Sequence, residues 1–179
     1  MTTNEKQFPG SMRFLHWLMA ILVLTMLGIG ATMLASLWDY HRLVSIHRPL
    51  GIAILILVVI RYINRRAHKL PAWPPTVSPP EQLVAGASEK LLYTLLFLIP
   101  LVGWGMLSAA RYPIVMWASF HLFPILPHNV VLYSFLRKTH AVLAYLLFFA
   151  FVAHLGAVLF HSVVLRDGLF KRMAPWREG

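Results

Sequence analysis

Four long apolar runs, separated by short polar segments, dominate the pattern of hydrophobic and polar positions along the chain. Charged residues enter these runs only at Arg48 and Arg61. A helix of roughly 20 apolar residues is long enough to cross about 30 Å of hydrocarbon. The pattern therefore predicts an all-α protein, an integral membrane four-helix bundle. The predicted spans are Phe14 to Trp38, Leu43 to Ile63, Leu91 to Ala110 and Thr139 to Leu165.

The composition agrees with a membrane protein. Of the 179 residues, 59% are hydrophobic and only 12% are charged, which is too apolar for an ordinary soluble domain. The segments between the spans are short, so we expect residues 1–179 to form a single domain. The first run is as long as a full span, which is unlike the short apolar core of a cleaved signal peptide, so this helix is expected to stay in the mature protein.

Two segments outside the spans have a distinct composition. Residues 64–90 contain five prolines, and because proline interrupts helices this segment is predicted to be an extended linker. Residues 112–136 mix aromatic and polar side chains, which predicts a short amphipathic segment lying at the membrane surface.

The basic residues predict the orientation of the bundle. Four spans place both termini on one side, and basic residues are more frequent on the cytoplasmic side of bacterial membrane proteins. The terminal side carries Lys6, Arg13, Arg61, Arg65, Arg66, Lys69, Lys90, Arg166, Lys171, Arg172 and Arg177, and the other side carries Arg42, Arg48, Arg111, Arg137 and Lys138. Both termini are therefore predicted to be cytoplasmic.

Four of the nine histidines lie in the predicted spans at matching depths. His140 and His154 are 14 residues apart, so at about 100° per residue they share one helix face, about 21 Å apart along the axis. His16, at the start of the first span, matches the depth of His154, and His47, at the start of the second, matches that of His140. Two facing imidazoles are a common axial ligand set for haem iron in electron transfer. The pattern predicts two b-type haems, one at each depth.

Other interpretations stay open at this point. A single histidine at a membrane interface usually contacts lipid headgroups or water, although polar groups inside a span are costly and often functional. A metal-ion transporter can use intramembrane histidines, but none of the six acidic residues lies well inside a span. Cysteine is absent, which excludes thiolate-bound haem and iron–sulfur clusters. A haem-free transporter or structural membrane protein remains the alternative from a different class.

Several polar residues outside the four histidines are candidates for binding. His161 follows His154 by seven residues on the same face, and it can hydrogen-bond a quinone carbonyl, relay a proton or simply lie at the interface. Arg48 and Arg137 adjoin the outer histidines and are candidate partners of haem propionates, or of lipid phosphates. The remaining cations on this side are expected to attract a small anion. The histidines expected in surface loops are His41, His68, His121 and His128.

Several short motifs follow one another along nearly the whole chain. They are Phe14-Leu15-His16-Trp17, Ile46-His47 with Gly51, Pro100 with Gly103, His140 with His154, and Arg166-Asp167-Gly168-Leu169 with Arg172-Met173. In these motifs the sequence resembles the bacterial cytochrome b561 family, small di-haem membrane cytochromes that include superoxide oxidase. The resemblance implies that His16, His47, His140 and His154 are the haem ligands, and that His161 lies near a quinone. Family members often have an acidic residue directly after the outer ligand, where this chain has Ala141.

The resemblance also implies a reaction. Superoxide on the outer side would give up its electron, which crosses through the two haems to ubiquinone near the cytoplasmic face of the bacterial inner membrane. This makes the expected function a superoxide:ubiquinone oxidoreductase, with superoxide, ubiquinone and membrane lipid as partners and no nucleic acid. The alternative is a non-catalytic carrier or anchor subunit that passes electrons between a partner dehydrogenase or hydrogenase and the quinone pool.

Overall fold

The computed structural model describes residues 7–35, 38–116 and 120–175, and these form four long helices and a small hairpin. Each helix is long and apolar enough to cross a membrane, so the prediction of an all-α membrane bundle is confirmed. The helices are α1 (Gly10–Ala35), α2 (Tyr40–Ala67), α3 (Pro79–Ala109) and α4 (Val130–Leu159), and a π-helical turn, Phe160–Leu165, extends α4.

The helices pack in chain order, with α1 against α2, α2 against α3, and α3 against α4. Small clusters of buried apolar side chains lie between them, including Met19, Ile54, Val58 and Leu95. Large side chains such as Ile56, Phe149 and Val152 point outward. In a lipid bilayer this outward apolar surface carries no penalty, because the surrounding chains are equally apolar.

The linker between α2 and α3 is shorter than predicted. We expected residues 64–90 to be extended, but α2 continues to Ala67 and α3 already begins at Pro79. Ser78 caps α3 in a reciprocal capping box in which the Glu81 carboxylate accepts a 2.7 Å hydrogen bond from the Ser78 backbone N–H. Proline is well tolerated in the first turn of a helix, where its missing N–H has no partner to lose. Pro79 and Pro80 therefore open a helix here.

The connection between α3 and α4 also differs from the prediction. Instead of one amphipathic surface segment over residues 112–136, it contains two antiparallel strands, β1 (Ile114–Met116) and β2 (Phe120–Leu122), in which Ile114 pairs with Leu122. Helix α4 begins at Val130 rather than at Thr139, capped by Asn129, whose side chain accepts from the N–H of Leu132 at 2.9 Å. The first helix ends at Ala35, and residues 36 and 37, within the predicted span, lie outside the described residues.

The two ends of the bundle have different architectures. At the end opposite the hairpin, which we call the terminal end, the residues after α4 fold back onto the start of α1. The Trp17 indole donates to the Met173 carbonyl at 2.8 Å, and the buried Arg13 donates to the Ala174 carbonyl at 3.0 Å. Arg172 donates to the Ala72 carbonyl of the linker at 2.7 Å. The other end, which carries β1 and β2, we call the hairpin end.

Candidate functional site

The first histidine pair lies toward the hairpin end. His47 of α2 and His140 of α4 face each other with ring centres 6.1 Å apart. The cleft around them is apolar apart from the two imidazoles. It is lined by Val23, Met26, His47, Gly51, Ile54, Leu96, Ile99, Pro100, His140 and Leu147.

The second pair lies toward the terminal end. His16 of α1 and His154 of α4 have ring centres 6.5 Å apart. The guanidinium of Arg61 reaches this pair from α2, with Nη2 3.0 Å from Nδ1 of His16, and its Nε donates to the Tyr93 hydroxyl of α3 at 3.0 Å. From the sequence, Arg61 was noted as a charge within a predicted span and as one of the residues that set the orientation, and no role was predicted for Arg61 or Tyr93. The position of a charged residue within a span was the signal that could have indicated this contact.

The spacing of both pairs fits a haem iron between the rings. An imidazole nitrogen lies about 2 Å from a metal it coordinates and about 1 Å from its own ring centre, so two axial imidazoles have centres about 6 Å apart. The two observed separations, 6.1 and 6.5 Å, match this value. Among residues 7–35, 38–116 and 120–175, no group of three or more His, Cys, Asp or Glu side chains is arranged to hold a metal ion without such a cofactor.

The polar atoms of the hairpin-end pair also fit a metal ligand role. Nδ1 of His140 lies 3.1 Å from the Ile99 carbonyl, a contact that assigns the proton to Nδ1 and leaves Nε2 as the coordinating atom. Nδ1 of His47 is buried and has no hydrogen-bond partner within the described part of the chain. A buried polar atom of this kind is uncommon in a folded protein and points to a missing partner.

A glycine of α3 makes room for the His140 ring. A Cβ atom at Gly103 would lie 3.2 Å from Cε1 and 3.3 Å from Nδ1 of His140. These distances are shorter than ordinary van der Waals contacts, so a side chain at this position would push the ring away from Ile99. Gly103 belongs to a motif noted in the sequence, but only the structure shows which side chain it accommodates.

His161 lies in the π-helical turn after α4, near the terminal end, and its partner was not found from the sequence. Nδ1 of His161 bonds to the carboxylate of Asp167, whose side chain is only 5% exposed. Asp167 also accepts from the backbone N–H of Leu169 at 3.1 Å. The chain reverses between these two residues at Arg166, which has a left-handed conformation with φ 51°, so helical periodicity gave no indication that they meet.

The two arginines predicted to bind propionates differ in their surroundings. Arg48 is half-buried and donates to the Pro113 carbonyl at 3.4 Å, whereas Arg137 is exposed near the same end of the bundle. His41, His68, His121 and His128 are exposed, as expected for surface positions. Two of them are not in loops, because His41 lies in the first turn of α2 and His121 lies in β2.

Comparison with known proteins assigns the family. Residues 7–176 match the family described as prokaryotic cytochrome b561. Cytochrome b561 homolog 2 of Escherichia coli K12 is 32% identical over 161 residues, covering 88% of this chain and 86% of the relative. The probable superoxide oxidase CybB of Yersinia pestis is 28% identical over 172 residues, covering 92% and 94%. Cytochrome b562 of Cereibacter sphaeroides is 28% identical over 180 residues, covering 93% and 96%.

The matched region spans almost the whole chain, and the four membrane helices agree with it. The chain therefore belongs to the prokaryotic cytochrome b561 family, membrane electron carriers of the bacterial inner membrane that bind b-type haem.

Proposed function

We propose that this protein is a superoxide:ubiquinone oxidoreductase with two b-type haems. His47 and His140 hold one haem, and His16 and His154 hold the other. The observation that carries the proposal is the pair of histidine couples whose ring separations, 6.1 and 6.5 Å, each suit one iron. When bound, the two haems supply one-electron transfer along the bundle.

Helix α4 sets the path between the two sites. It contributes one histidine to each pair, and the two are separated by 14 residues, or about 21 Å of helix. Each pair therefore lies toward one surface of a bilayer about 30 Å thick. The apolar side chains that line the hairpin-end cleft exclude water from this path.

The charge distribution supports the hairpin end as the outer, superoxide-accepting end. Most basic residues lie at the terminal end, which supports a cytoplasmic location of both termini. The cations near the hairpin end are Arg42, Arg48, Arg111, Arg137 and Lys138, with Asp39 as the acid. Arg48 and Arg137 are the side chains we assign to haem propionates at this end, and the remaining cations draw in the anionic substrate.

The terminal end offers a place for quinone chemistry. Because Asp167 accepts from Nδ1–H of His161, a second proton on the ring places an N–H donor at Nε2, which can donate to a quinone carbonyl. Trp17, held by the Met173 carbonyl, lies on the same end and lines this region. In the overall reaction, two superoxide anions each lose one electron and leave as dioxygen, and one ubiquinone takes up two electrons and two protons to form ubiquinol.

The test is a stopped-flow record of the haem absorption bands when purified oxidised protein meets superoxide, with and without ubiquinone. The proposal expects rapid haem reduction, followed by reoxidation only when quinone is present. Haem bands that stay oxidised under superoxide would instead favour a carrier subunit that takes its electrons from a partner protein. A purified protein without haem bands would contradict both functions.

A further inference from the structure

Arg61 is a charged side chain held inside the bundle by contacts with two neighbouring helices. Its Nη2 lies 3.0 Å from Nδ1 of His16 on α1, and its Nε donates to the Tyr93 hydroxyl on α3 at 3.0 Å. One turn further along α2, Arg65 forms an ion pair with Glu89. Arg61 has no such neutralising partner, since no carboxylate of the described residues lies within 4 Å of it.

This placement requires a reason, because an arginine near a helix end in a membrane can extend toward water. Arg61 instead points its charge toward the His16 and His154 pair. Charged groups inside membrane spans are costly and are usually retained for function. The contact with Tyr93 orients the guanidinium toward α1.

The imidazoles of the hairpin-end pair have different hydrogen-bond contacts. Nδ1 of His140 faces the Ile99 carbonyl at 3.1 Å. Arg48 adjoins His47 in the sequence, but its guanidinium donates to the Pro113 carbonyl at 3.4 Å. In the part of the chain that the structure describes, neither ring of this pair is hydrogen-bonded to a cation.

We infer that Arg61 raises the reduction potential of the haem held by His16 and His154. The inference rests on the proposed haem ligands. Reduction adds one negative charge to a haem, so a nearby cation stabilises the reduced form. A carbonyl that accepts from an axial imidazole makes that ligand more basic, which favours the oxidised form.

Arg61 affects the haem through its positive charge. An imidazole that coordinates iron through Nε2 keeps its proton on Nδ1, so it cannot accept a hydrogen bond from Arg61. The guanidinium then stays near the ring, held by its bond to the Tyr93 hydroxyl, and acts on the haem at longer range through its charge. A higher potential at this haem favours electron transfer toward the terminal end, which is the direction of the proposed function.

The experiment is a spectroelectrochemical titration of the haem bands in the purified protein and its variants. The unmodified protein is expected to titrate in two steps. Arg61→Gln should lower the midpoint potential of the haem that is lost in His154→Ala and leave the other unchanged, whereas Arg61→Lys, which keeps the charge but loses the bond from Nε to Tyr93, should lower it less. Arg66→Gln, an exposed position on the same helix end, is the matched control and should change neither.

Haem content separates failure of this inference from failure of the haem assignment. If Arg61→Gln retains two haems and the potential of the haem at His16 and His154 does not fall, the inference is wrong. If His16→Ala retains both haems, the proposed ligands themselves are wrong. Should Arg61→Gln lose a haem, Tyr93→Phe tests the same contact with the charge kept. A smaller fall of this potential supports the inference, and unchanged potentials overturn it.

Discussion

At the scale of single residues, the four paired histidines differ in what holds their second nitrogen. Nδ1 of His140 is fixed by the Ile99 carbonyl, whereas Nδ1 of His47 has no partner within the described residues. Nδ1 of His16 faces Arg61. Since such contacts orient a ligand ring and tune its basicity, we expect the two proposed haem sites to differ in their properties although each has two histidines.

The separation of the two pairs along α4 leads to a prediction about haem content. His47→Ala removes one proposed ligand of the hairpin-end site. The other pair includes His154, which lies 14 residues, or about four helical turns, from His140 along α4. We expect the haem-to-protein ratio to fall from two to one, measured by haem extraction, with the remaining bands unchanged. His154→Ala should remove the other haem. Loss of both haems from a folded His47→Ala protein would contradict the pairing.

Gly103 gives a second prediction at this scale. An alanine Cβ would lie 3.2 Å from the His140 ring, so the ring must move and its bond with Ile99 must weaken. Loss of such a contact costs roughly 10-fold to 100-fold in metal affinity, and we expect Gly103→Ala to weaken the hairpin-end haem to that extent. Gly156→Ala on α4, where a Cβ meets nothing within 4 Å, is the control. Equal haem affinity in the two variants would rule out the positioning role of Gly103.

At the scale of elements, the apolar runs identified the membrane-spanning part of each helix but not its ends. A span is recognisable because lipid demands about 20 apolar residues, whereas a helix end depends on local hydrogen bonds. Helix α3 begins at Pro79 because Ser78 and Glu81 cap it, and α4 begins at Val130 because Asn129 caps it. Both signals lie in polar sequence that had been assigned to connecting segments.

The candidate site, like the helices, was predictable from the sequence only in part. Matching depths were enough to pair His16 with His154 and His47 with His140, because the rise per residue of a helix is fixed. The contact between Arg61 and His16 depends on how α1 and α2 are rotated about their axes. The contact between His161 and Asp167 depends on the chain reversal at Arg166. A helical pattern carries neither kind of information.

The cap of α3 leads to a stability prediction. Removing a serine cap costs about 1 kcal/mol, and in a chain of this size that corresponds to a lower unfolding temperature by about 2–4 °C. We expect Ser78→Ala to show this decrease in detergent, followed by circular dichroism. Ser134→Ala, at an exposed position inside α4, should lower the unfolding temperature less. An unchanged midpoint for Ser78→Ala would show that the cap does not contribute to stability.

At the scale of the whole molecule, the two ends of the bundle differ in structure and in exposed charge. The terminal end is closed by the residues after α4, which bond to Arg13 and Trp17 of α1 and to the linker. This closure packs the chain around the proposed quinone region. The hairpin end instead presents exposed cations, among them Arg42, Arg111 and Lys138. In the proposed function, a small anion is attracted to the hairpin end and a membrane-soluble quinone binds at the terminal end.

This division predicts that the superoxide step depends on salt. Attraction between an anion and exposed cations is screened over about 8 Å at physiological ionic strength, and such steering changes association rates by about 10-fold or more. We expect the second-order rate constant of haem reduction by superoxide, measured by stopped flow, to fall as salt increases. The double variant Arg42→Gln and Lys138→Gln should react more slowly and with a weaker salt dependence. Its control is the double variant Arg66→Gln and Lys69→Gln at the terminal end, which should match the unmodified protein. If the rate constant does not change with salt while haem content is full, superoxide reaches the haem without electrostatic attraction.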